Sequence, residues 1–246
     1  MNSPEGKAIL ALVRCGDFAH AGEEEAIRIA MAGVLPDPAR RVVDAGCGRG
    51  GTADYLIRHG LGRVTAFDID GESVHHAAER YPAVDFHVAD AGSVDRAIPG
   101  PFDLVTCFNS FYAFPQEEAL AALRRLAATG ARLLIFDYTD PAERFAGSDF
   151  AHLEDNGLWR PVHPGKLRSM ALDAGWELTG WDDLTDRYVG WYDELLANME
   201  RHREAVITSH GEEAFEFVRT FYRALHDALA NGVLGGGCFR LVAVAG

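Results

Sequence analysis

The sequence has few cysteines and no long apolar run, and both absences limit what the protein can be. Its four cysteines, Cys15, Cys47, Cys107 and Cys238, have no CxxC spacing and no clustered histidines, so neither a disulfide framework nor a metal site is predicted. It contains no run of about 18 apolar residues and no signal-peptide pattern, so we expect no membrane span. A reduced, cytoplasmic location is the expectation.

Basic residues are also scarce. The 246 residues include 23 Lys and Arg against 37 Asp and Glu, which gives a net charge of −14. Such a surface repels nucleic-acid phosphates and anionic lipid headgroups. We therefore expect a small-molecule partner, with no nucleic acid or membrane partner, and a protein that acts as a monomer or homodimer.

Apolar runs alternate with helix-like segments, which is typical of a parallel sheet covered by helices on both faces. Predicted strands cover 41–44, 63–68, 85–90, 102–109 and 131–138. Between them, apolar residues recur every three or four positions, as one buried helix face requires. These predicted helices cover 52–59, 72–80 and 116–128, the last ending at Gly130.

The remaining sequence predicts an addition to this sheet. An irregular loop at 139–160 precedes a helix at 165–174 and a strand at 176–184. Two long helices are then expected within 186–237, before a final strand at 238–245. Such an excursion between neighbouring strands predicts a cap over the strand ends.

The first predicted strand leads into a glycine-rich turn, which is the strongest functional signal. It fits both GxGxxG (Gly46, Gly48, Gly51) and DxGxGxG (Asp44 to Gly50), and glycines there let a ligand lie against bare backbone. A dinucleotide places its pyrophosphate on the following helix, where Asp44 would repel it. S-adenosylmethionine has no phosphate and is cationic, so the carboxylate favours it.

Carboxylates also follow the next two strands. Asp68 can accept hydrogen bonds from both ribose hydroxyls of either cofactor, with Ile69 beside it, and Asp90-Ala91 can take an adenine amino group. The alternative for Asp68 and Asp90 is that each caps its own loop. Asp70 is expected to cap the next helix.

Over residues 40–140 these motifs resemble the class I S-adenosylmethionine-dependent methyltransferases. A second resemblance, to small-molecule methyltransferases of the phosphoethanolamine type, covers nearly the whole chain through residues 18–26, 134–138, 182–188 and 238–240. Where that family has a tyrosine before the sixth strand, this chain has Gly165, which makes a phosphobase substrate doubtful.

The resemblance implies an α/β fold with a Rossmann-like, seven-stranded, mostly parallel sheet, helices on both faces and a helical cap between the last two strands. It implies an N-terminal lid at 1–40, a core at 41–185, a cap at 186–237 and a final core strand at 238–246. S-adenosylmethionine is the implied cofactor, and His20 stands where the family pattern prefers serine. The implied cofactor residues are Phe18, His20, Asp44, Gly46, Gly48, Gly50, Asp68, Ile69, Asp90, Ala91 and Asn109.

Methyl transfer is an in-line displacement on an unprotonated nucleophile. Tyr112, Asp137 and Tyr188 are the catalytic candidates; alternatively, Tyr112 packs under the cap, Asp137 caps a turn and Tyr188 belongs to the core. The substrate-binding candidates are Trp159, His163, Arg187, Trp191 and Arg240. His163 could instead begin a helix, and Trp191 could pack in the core.

The expected function is methyl transfer to a nitrogen or oxygen of a small metabolite or natural-product intermediate. One alternative is an enzyme of the same fold that retains the cofactor but catalyses cyclisation or decarboxylation, because fold does not fix chemistry. Another is a cofactor-binding regulatory subunit.

Overall fold

A seven-stranded sheet forms the centre of the computed structural model, which describes residues 3–153 and 159–244. Its order is β3-β2-β1-β4-β5-β7-β6. Strands β1 to β5 run parallel, and β7 pairs antiparallel with both β5 and β6. The strands are β1 Arg41–Ala45, β2 Arg63–Asp68, β3 Asp85–Val88, β4 Phe102–Phe108, β5 Ala127–Thr139, β6 Trp176–Asp183 and β7 Gly235–Ala243.

Helices cover both faces of the sheet, as predicted. Side chains alternate along each strand, and in β4 Leu104 and Phe108 join one core while Val105 and Cys107 join the other. The helices are α1 Pro4–Val13, α2 Glu23–Ala30, α3 Gly51–Arg58, α4 Gly71–Arg80, α5 Gln116–Leu126, α6 Asp149–Leu153, α7 Pro164–Asp173, α8 Thr185–Arg201, α9 Arg203–His210 and α10 Glu212–Ala230. Across 3–153 and 159–244, none of them combines the length and apolar character that a membrane crossing requires.

Two helix starts agree with the sequence. The Asp70 carboxylate accepts a hydrogen bond from the Glu72 backbone N–H at 3.1 Å and begins α4. His163 Nδ1 accepts from the backbone N–H groups of Gly165 and Lys166, each at 3.1 Å, and begins α7.

The predicted end of the helix at 116–128 and the predicted start of the strand at 131–138 are both wrong. Helix α5 ends at Leu126, before Gly130, because Ala127 already pairs with Phe102 at the start of β5. The pairing then shifts register, so Gly130 lies inside the strand with a φ of 78°. Residues 154–158 of the predicted loop and 245–246 of the predicted final strand lie outside the described residues.

The helical region between β6 and β7 contains three helices, where two were predicted. It breaks at His202 and at Gly211, which has a φ of 88°. The chain then enters β7 at Gly235, three residues earlier than expected, because glycines there leave room for the cap. A Cβ on Gly236 would lie 2.1 Å from Cδ2 of the Tyr188 ring.

We therefore expect Gly236→Ala to lower the free energy of unfolding by about 2 kcal/mol through overpacking. Urea denaturation followed by circular dichroism measures the change. Gly190→Ala is the matched control, since Gly190 in α8 has open space around its Cα and alanine there favours the helix. Equal stabilities for the two variants would contradict the close packing of Tyr188 on β7.

Candidate active site

The glycine turn after β1 is held against the end of β2. The backbone N–H groups of Gly46 and Cys47 donate to the Phe67 carbonyl at 2.8 and 2.9 Å. Gly46 and Gly48 have φ values of 74° and 52°, in the left-handed region that favours glycine. A Cβ on Gly46 would lie 2.4 Å from Cβ of Ser110, so this turn has no room for a side chain and offers bare backbone.

A cavity with about 1030 Å³ of empty space, counting its open mouth, lies at the carboxyl ends of the parallel strands. Because β1, β2, β4 and β5 all end at this edge, their following residues converge there. The lining residues are Lys7, Leu10, Ala19, Gly46, Gly48, Phe67, Asp68, Ile69, Asp70, Ala89, Asp90, Ala91, Phe108, Asn109, Ser110, Tyr112, Ala113, Phe114, Pro115, Tyr138, Trp159, Phe221 and Tyr222.

One end of this cavity, which we call the acidic end, is formed by Asp68, Asp70 and Asp90. Asp68 Oδ2 accepts from the Gly48 backbone N–H at 2.8 Å, which ties the end of β2 to the glycine turn. The Lys7 ammonium lies 3.4 Å from Asp68 Oδ1 and 3.2 Å from Asp70 Oδ2. Although burial opposes it, hydrogen bonds from Ser73 and the charge of Lys7 hold the pKa of Asp70 below its usual value.

Asp44 lies just before the glycine turn, buried at the end of β1. Its Oδ1 accepts from the Thr106 hydroxyl at 2.8 Å, while Oδ2 is buried with no hydrogen-bond partner among the residues described. Burial raises the pKa of Asp44 to about 7, the nearby charge of Asp68 adds to the rise and the Thr106 hydroxyl opposes it. An unpaired carboxylate oxygen there makes the turn favourable for a cation.

The other end of the cavity, which we call the aromatic end, is formed by Tyr112, Tyr138, Trp159, Phe221 and Tyr222. The Trp159 ring lies 4.3 Å from the Tyr112 ring and stacks at 4.8 Å on that of Tyr138. Burial raises the pKa of Tyr138 well above its usual value, so its hydroxyl is neutral near pH 7. This end offers aromatic faces and the neutral hydroxyl of Tyr138.

The structure brings nine of the predicted site residues onto the cavity: Gly46, Gly48, Asp68, Ile69, Asp90, Ala91, Asn109, Tyr112 and Trp159. Asn109 has a φ of 44° and joins three parts of the chain. Its Oδ1 accepts from the Ala21 N–H at 3.1 Å, and its Nδ2 donates to the Tyr188 hydroxyl at 3.2 Å. It therefore holds the N-terminal segment and the cap over the end of β4.

The other predicted cofactor residues do not line the cavity. Asp44 is buried beneath the turn, Phe18 packs near Gly51, and a Cβ on Gly50 would lie within 2.9 Å of the Phe86 ring. His20 is buried, with Nε2 at 3.0 Å from the Thr52 hydroxyl. Because burial lowers the pKa of His20 to about 4, it is a neutral packing residue.

Two of the catalytic candidates are also away from the cavity. Asp137 is fully buried and accepts from the backbone N–H groups of Tyr138 at 2.7 Å and Tyr112 at 3.1 Å. Burial raises its pKa to about 7, against the effect of these hydrogen bonds. Tyr188 is fully buried, and its ring stacks on Phe136 at 5.2 Å. Both therefore support the site from behind, and neither can touch an acceptor in this arrangement.

Four substrate-binding candidates have partners elsewhere. Arg187 and Trp191 both bind the Glu25 carboxylate, at 2.7 and 2.9 Å. Arg240 pairs with Asp182 at 2.8 Å across β7 and β6. His163 begins α7 and lies 3.7 Å from Glu143. None of these four side chains lines the cavity.

Sequence reasoning missed lining residues contributed by helices. Lys7 and Leu10 come from α1, and Phe221 and Tyr222 from α10. Tyr138 could have been predicted from the sequence, because it lies one residue beyond Asp137 at the same strand end. For the helical residues, the 3.6-residue period predicts which face of the helix is buried. It does not predict which strand or helix that face packs against.

A methyltransferase domain family matches residues 42–130. The phosphoethanolamine N-methyltransferase of Triticum aestivum is 25% identical over 213 residues, covering 82% of this chain and 41% of that protein. The ubiquinone biosynthesis O-methyltransferase of Xanthomonas campestris is 35% identical over 95 residues, covering 37% of this chain and 38% of that protein. The chain therefore spans about two-fifths of the length of these relatives.

Solved structures agree on the fold. Phosphoethanolamine N-methyltransferase 2 of Haemonchus contortus, in complex with phosphomonomethylethanolamine and S-adenosylhomocysteine, superposes with a TM-score of 0.87 at 16% identity. The match covers 99% of this chain and 58% of that chain. Residues 42–130 are therefore similar to a methyltransferase domain family, and the whole chain shares the fold of this solved methyltransferase structure.

Proposed function

We propose that this chain transfers a methyl group from S-adenosylmethionine to a nitrogen or oxygen of a small-molecule acceptor. The observation that carries the proposal is one cavity with two chemically different ends, the acidic end beside the glycine turn and the aromatic end beside the cap. A transferase that binds two substrates needs both within reach of each other.

The acidic end fits the cofactor. Asp68 would hold the ribose hydroxyls, Asp90 the adenine amino group, and the turn at Gly46 and Gly48 the amino-acid part. The unpaired Oδ2 of Asp44 supplies negative charge for a cationic group at this turn. When bound, the cofactor supplies a methyl group activated by a positively charged sulfur.

The aromatic end fits the acceptor. Buried rings there exclude water and hold a small molecule in a fixed orientation. The Tyr138 hydroxyl is neutral near pH 7, which makes it a poor base, and Asp137 lies behind the wall. We infer that the acceptor nucleophile enters already unprotonated.

The remaining expectations stay proposals. The acidic net charge of −14 supports a small molecule over nucleic acid or a membrane. Four free cysteines, three of them buried, support a reducing, cytoplasmic location. The division into a lid, core and cap, and a monomeric or homodimeric state, also belong to this proposal.

Incubation with isotopically labelled S-adenosylmethionine and a library of small amines, phenols and alcohols tests the function. We expect S-adenosylhomocysteine and one labelled product, both detected by mass spectrometry. Tight cofactor binding without turnover on any acceptor would count against methyl transfer and favour the cyclase, decarboxylase or regulatory alternatives.

Within that assay, Trp159→Ala should lower kcat/KM for the acceptor about tenfold, because it removes the ring that packs on both Tyr112 and Tyr138. The affinity for S-adenosylhomocysteine should stay within about twofold of wild type. Phe217→Ala is the control, since Phe217 lies on α10 with 64% of its surface exposed. A loss confined to cofactor affinity would contradict the assignment of the aromatic end to the acceptor.

A further inference from the structure

The glycine turn contains one charged residue, Arg49, which lies between Gly48 and Gly50. Gly48 lines the cavity, whereas the Arg49 side chain does not. The ligand proposed for this turn is a cation, and an uncompensated positive charge beside the turn would oppose its binding. A guanidinium stays charged at all working pH values, so its charge has to be balanced by another residue.

Asp17 balances that charge. It lies in the segment between α1 and α2, and its Oδ1 accepts a hydrogen bond from Arg49 Nε at 2.8 Å. Its Oδ2 accepts from the Tyr81 hydroxyl at 2.8 Å, and His76 Nε2 lies 3.2 Å from Oδ1. Although burial opposes it, the hydrogen bonds from Arg49, Tyr81 and His76 hold the pKa of Asp17 below its usual value. Its carboxylate is therefore ionised near pH 7.

The Asp17–Arg49 pair joins the N-terminal segment to the cavity wall. The Gly51 backbone N–H donates to the Asp17 carbonyl oxygen at 3.2 Å, and a Cβ on Gly51 would lie 2.7 Å from that oxygen. Ala19, two residues after Asp17, lines the cavity, as does Gly48, one residue before Arg49. Each member of the pair is therefore one or two residues of backbone away from the cavity.

The surroundings of the pair make its charges effective. The side chain of Asp17 is 12% exposed and that of Arg49 is 20% exposed. Water and salt screen partly buried charges much less than exposed ones. Removal of one partner therefore leaves a charge on the other that still acts at the turn.

We propose that the Asp17–Arg49 pair sets how strongly the site prefers S-adenosylmethionine to its product, S-adenosylhomocysteine. This inference rests on the proposed function. The two ligands share their adenosine and amino-acid parts and differ by the methyl group and the positive charge on sulfur. While Asp17 and Arg49 are paired, their charges cancel, and the carboxylates of the acidic end determine the preference for a cation. Both are positioning residues, since neither side chain lines the cavity.

Isothermal titration calorimetry with S-adenosylmethionine and, separately, with S-adenosylhomocysteine tests the pair in the absence of any acceptor. Asp17→Asn leaves the positive charge of Arg49 and should weaken S-adenosylmethionine about threefold relative to S-adenosylhomocysteine. Arg49→Met leaves the negative charge of Asp17 and should shift the ratio of the two affinities about threefold in the opposite direction. The double variant should return the ratio to its wild-type value, because both charges are then absent.

The ratio separates the effect of charge from a loosened turn. A turn that is merely less well held would weaken both ligands by the same factor and leave the ratio unchanged. Higher ionic strength should reduce both shifts. Asp54→Asn and Arg58→Met are the matched controls, since they break an exposed ion pair of 2.7 Å within α3, and neither should change the ratio.

An unchanged ratio in both single variants overturns the role of the pair, as does a shift in the same direction in both. If Arg49→Met does not fold, an unchanged ratio in Asp17→Asn overturns it equally. These outcomes leave the proposed function intact, because the wild-type protein still binds both ligands. Failure of the wild-type protein to bind either ligand would instead reject the proposed function.

Discussion

Replacing Asp68 with alanine should weaken the binding of S-adenosylhomocysteine about 100-fold. A hydrogen bond to a charged group contributes about 1.5–3 kcal/mol, and the proposed ribose contact involves two hydroxyls on one carboxylate. The change also removes the acceptor of the Gly48 N–H, which lies 2.8 Å from Asp68 Oδ2 and fixes the glycine turn. Isothermal titration calorimetry measures the loss directly.

Two further variants make this experiment decisive. Asp68→Asn keeps one acceptor oxygen and should lose about tenfold in affinity. Glu72→Ala, at the exposed start of α4, should bind as wild type does. An unchanged affinity in Asp68→Ala would refute the placement of the ribose at the end of β2.

Lys7 reduces the net gain from that contact. Its ammonium lies 3.4 Å from Asp68 Oδ1, one of the oxygens that ribose hydroxyls would use. Cofactor binding must therefore displace Lys7 or share the carboxylate with it. Lys7 retains Asp70, whose Oδ2 lies 3.2 Å away, so the displacement leaves no unpaired buried charge.

The sequence was informative where function follows from strand ends. Asp68, Asp90 and the turn at Gly46 follow consecutive strands, and parallel strands bring those positions to one edge whatever the rest of the chain does. Asp137 also lies at the end of a strand at this edge, but its side chain does not point into the cavity. Its carboxylate instead accepts hydrogen bonds from backbone N–H groups behind the wall.

The aromatic end was not predictable in the same way. Leu10 and Tyr222 are 212 residues apart in the numbering, and their meeting depends on how α1 and α10 pack over the sheet. Basic residues predicted the site less well than the strand-end carboxylates did. Arg187 and Arg240 pair with Glu25 and Asp182, and an acidic chain offers many such partners, so a lone arginine does not indicate a substrate.

The affinity for S-adenosylhomocysteine should rise about 25-fold between pH 5.5 and 7.5. Asp44 has a pKa of about 7, and its ionised fraction rises by that factor over this range. We propose that the charge of ionised Asp44, beneath the glycine turn, attracts the ammonium of the ligand, which remains protonated over this range. Affinity therefore falls as pH drops through 7. Equilibrium dialysis at fixed ionic strength measures it.

Thermal shift is unsuitable for that measurement, because the two buried aspartates contribute to folding stability with the opposite pH dependence. The pKa of Asp44, like that of Asp137, is raised to about 7 in the folded protein, above the value near 3.9 of an unfolded aspartate. Between those values the folded state holds more protons than the unfolded state. The contribution of these two aspartates to the stability of the free protein therefore decreases as pH rises from about 4 to 7.

Asp44→Asn separates the two buried carboxylates. It keeps an oxygen that can accept from the Thr106 hydroxyl but has no charge, so its affinity at pH 7.5 should fall to about the wild-type value at pH 5.5 and vary little with pH. Asp137 still titrates in this variant, which makes it the internal control. A pH dependence that persists in Asp44→Asn would assign the effect to another group and remove Asp44 from the cofactor site.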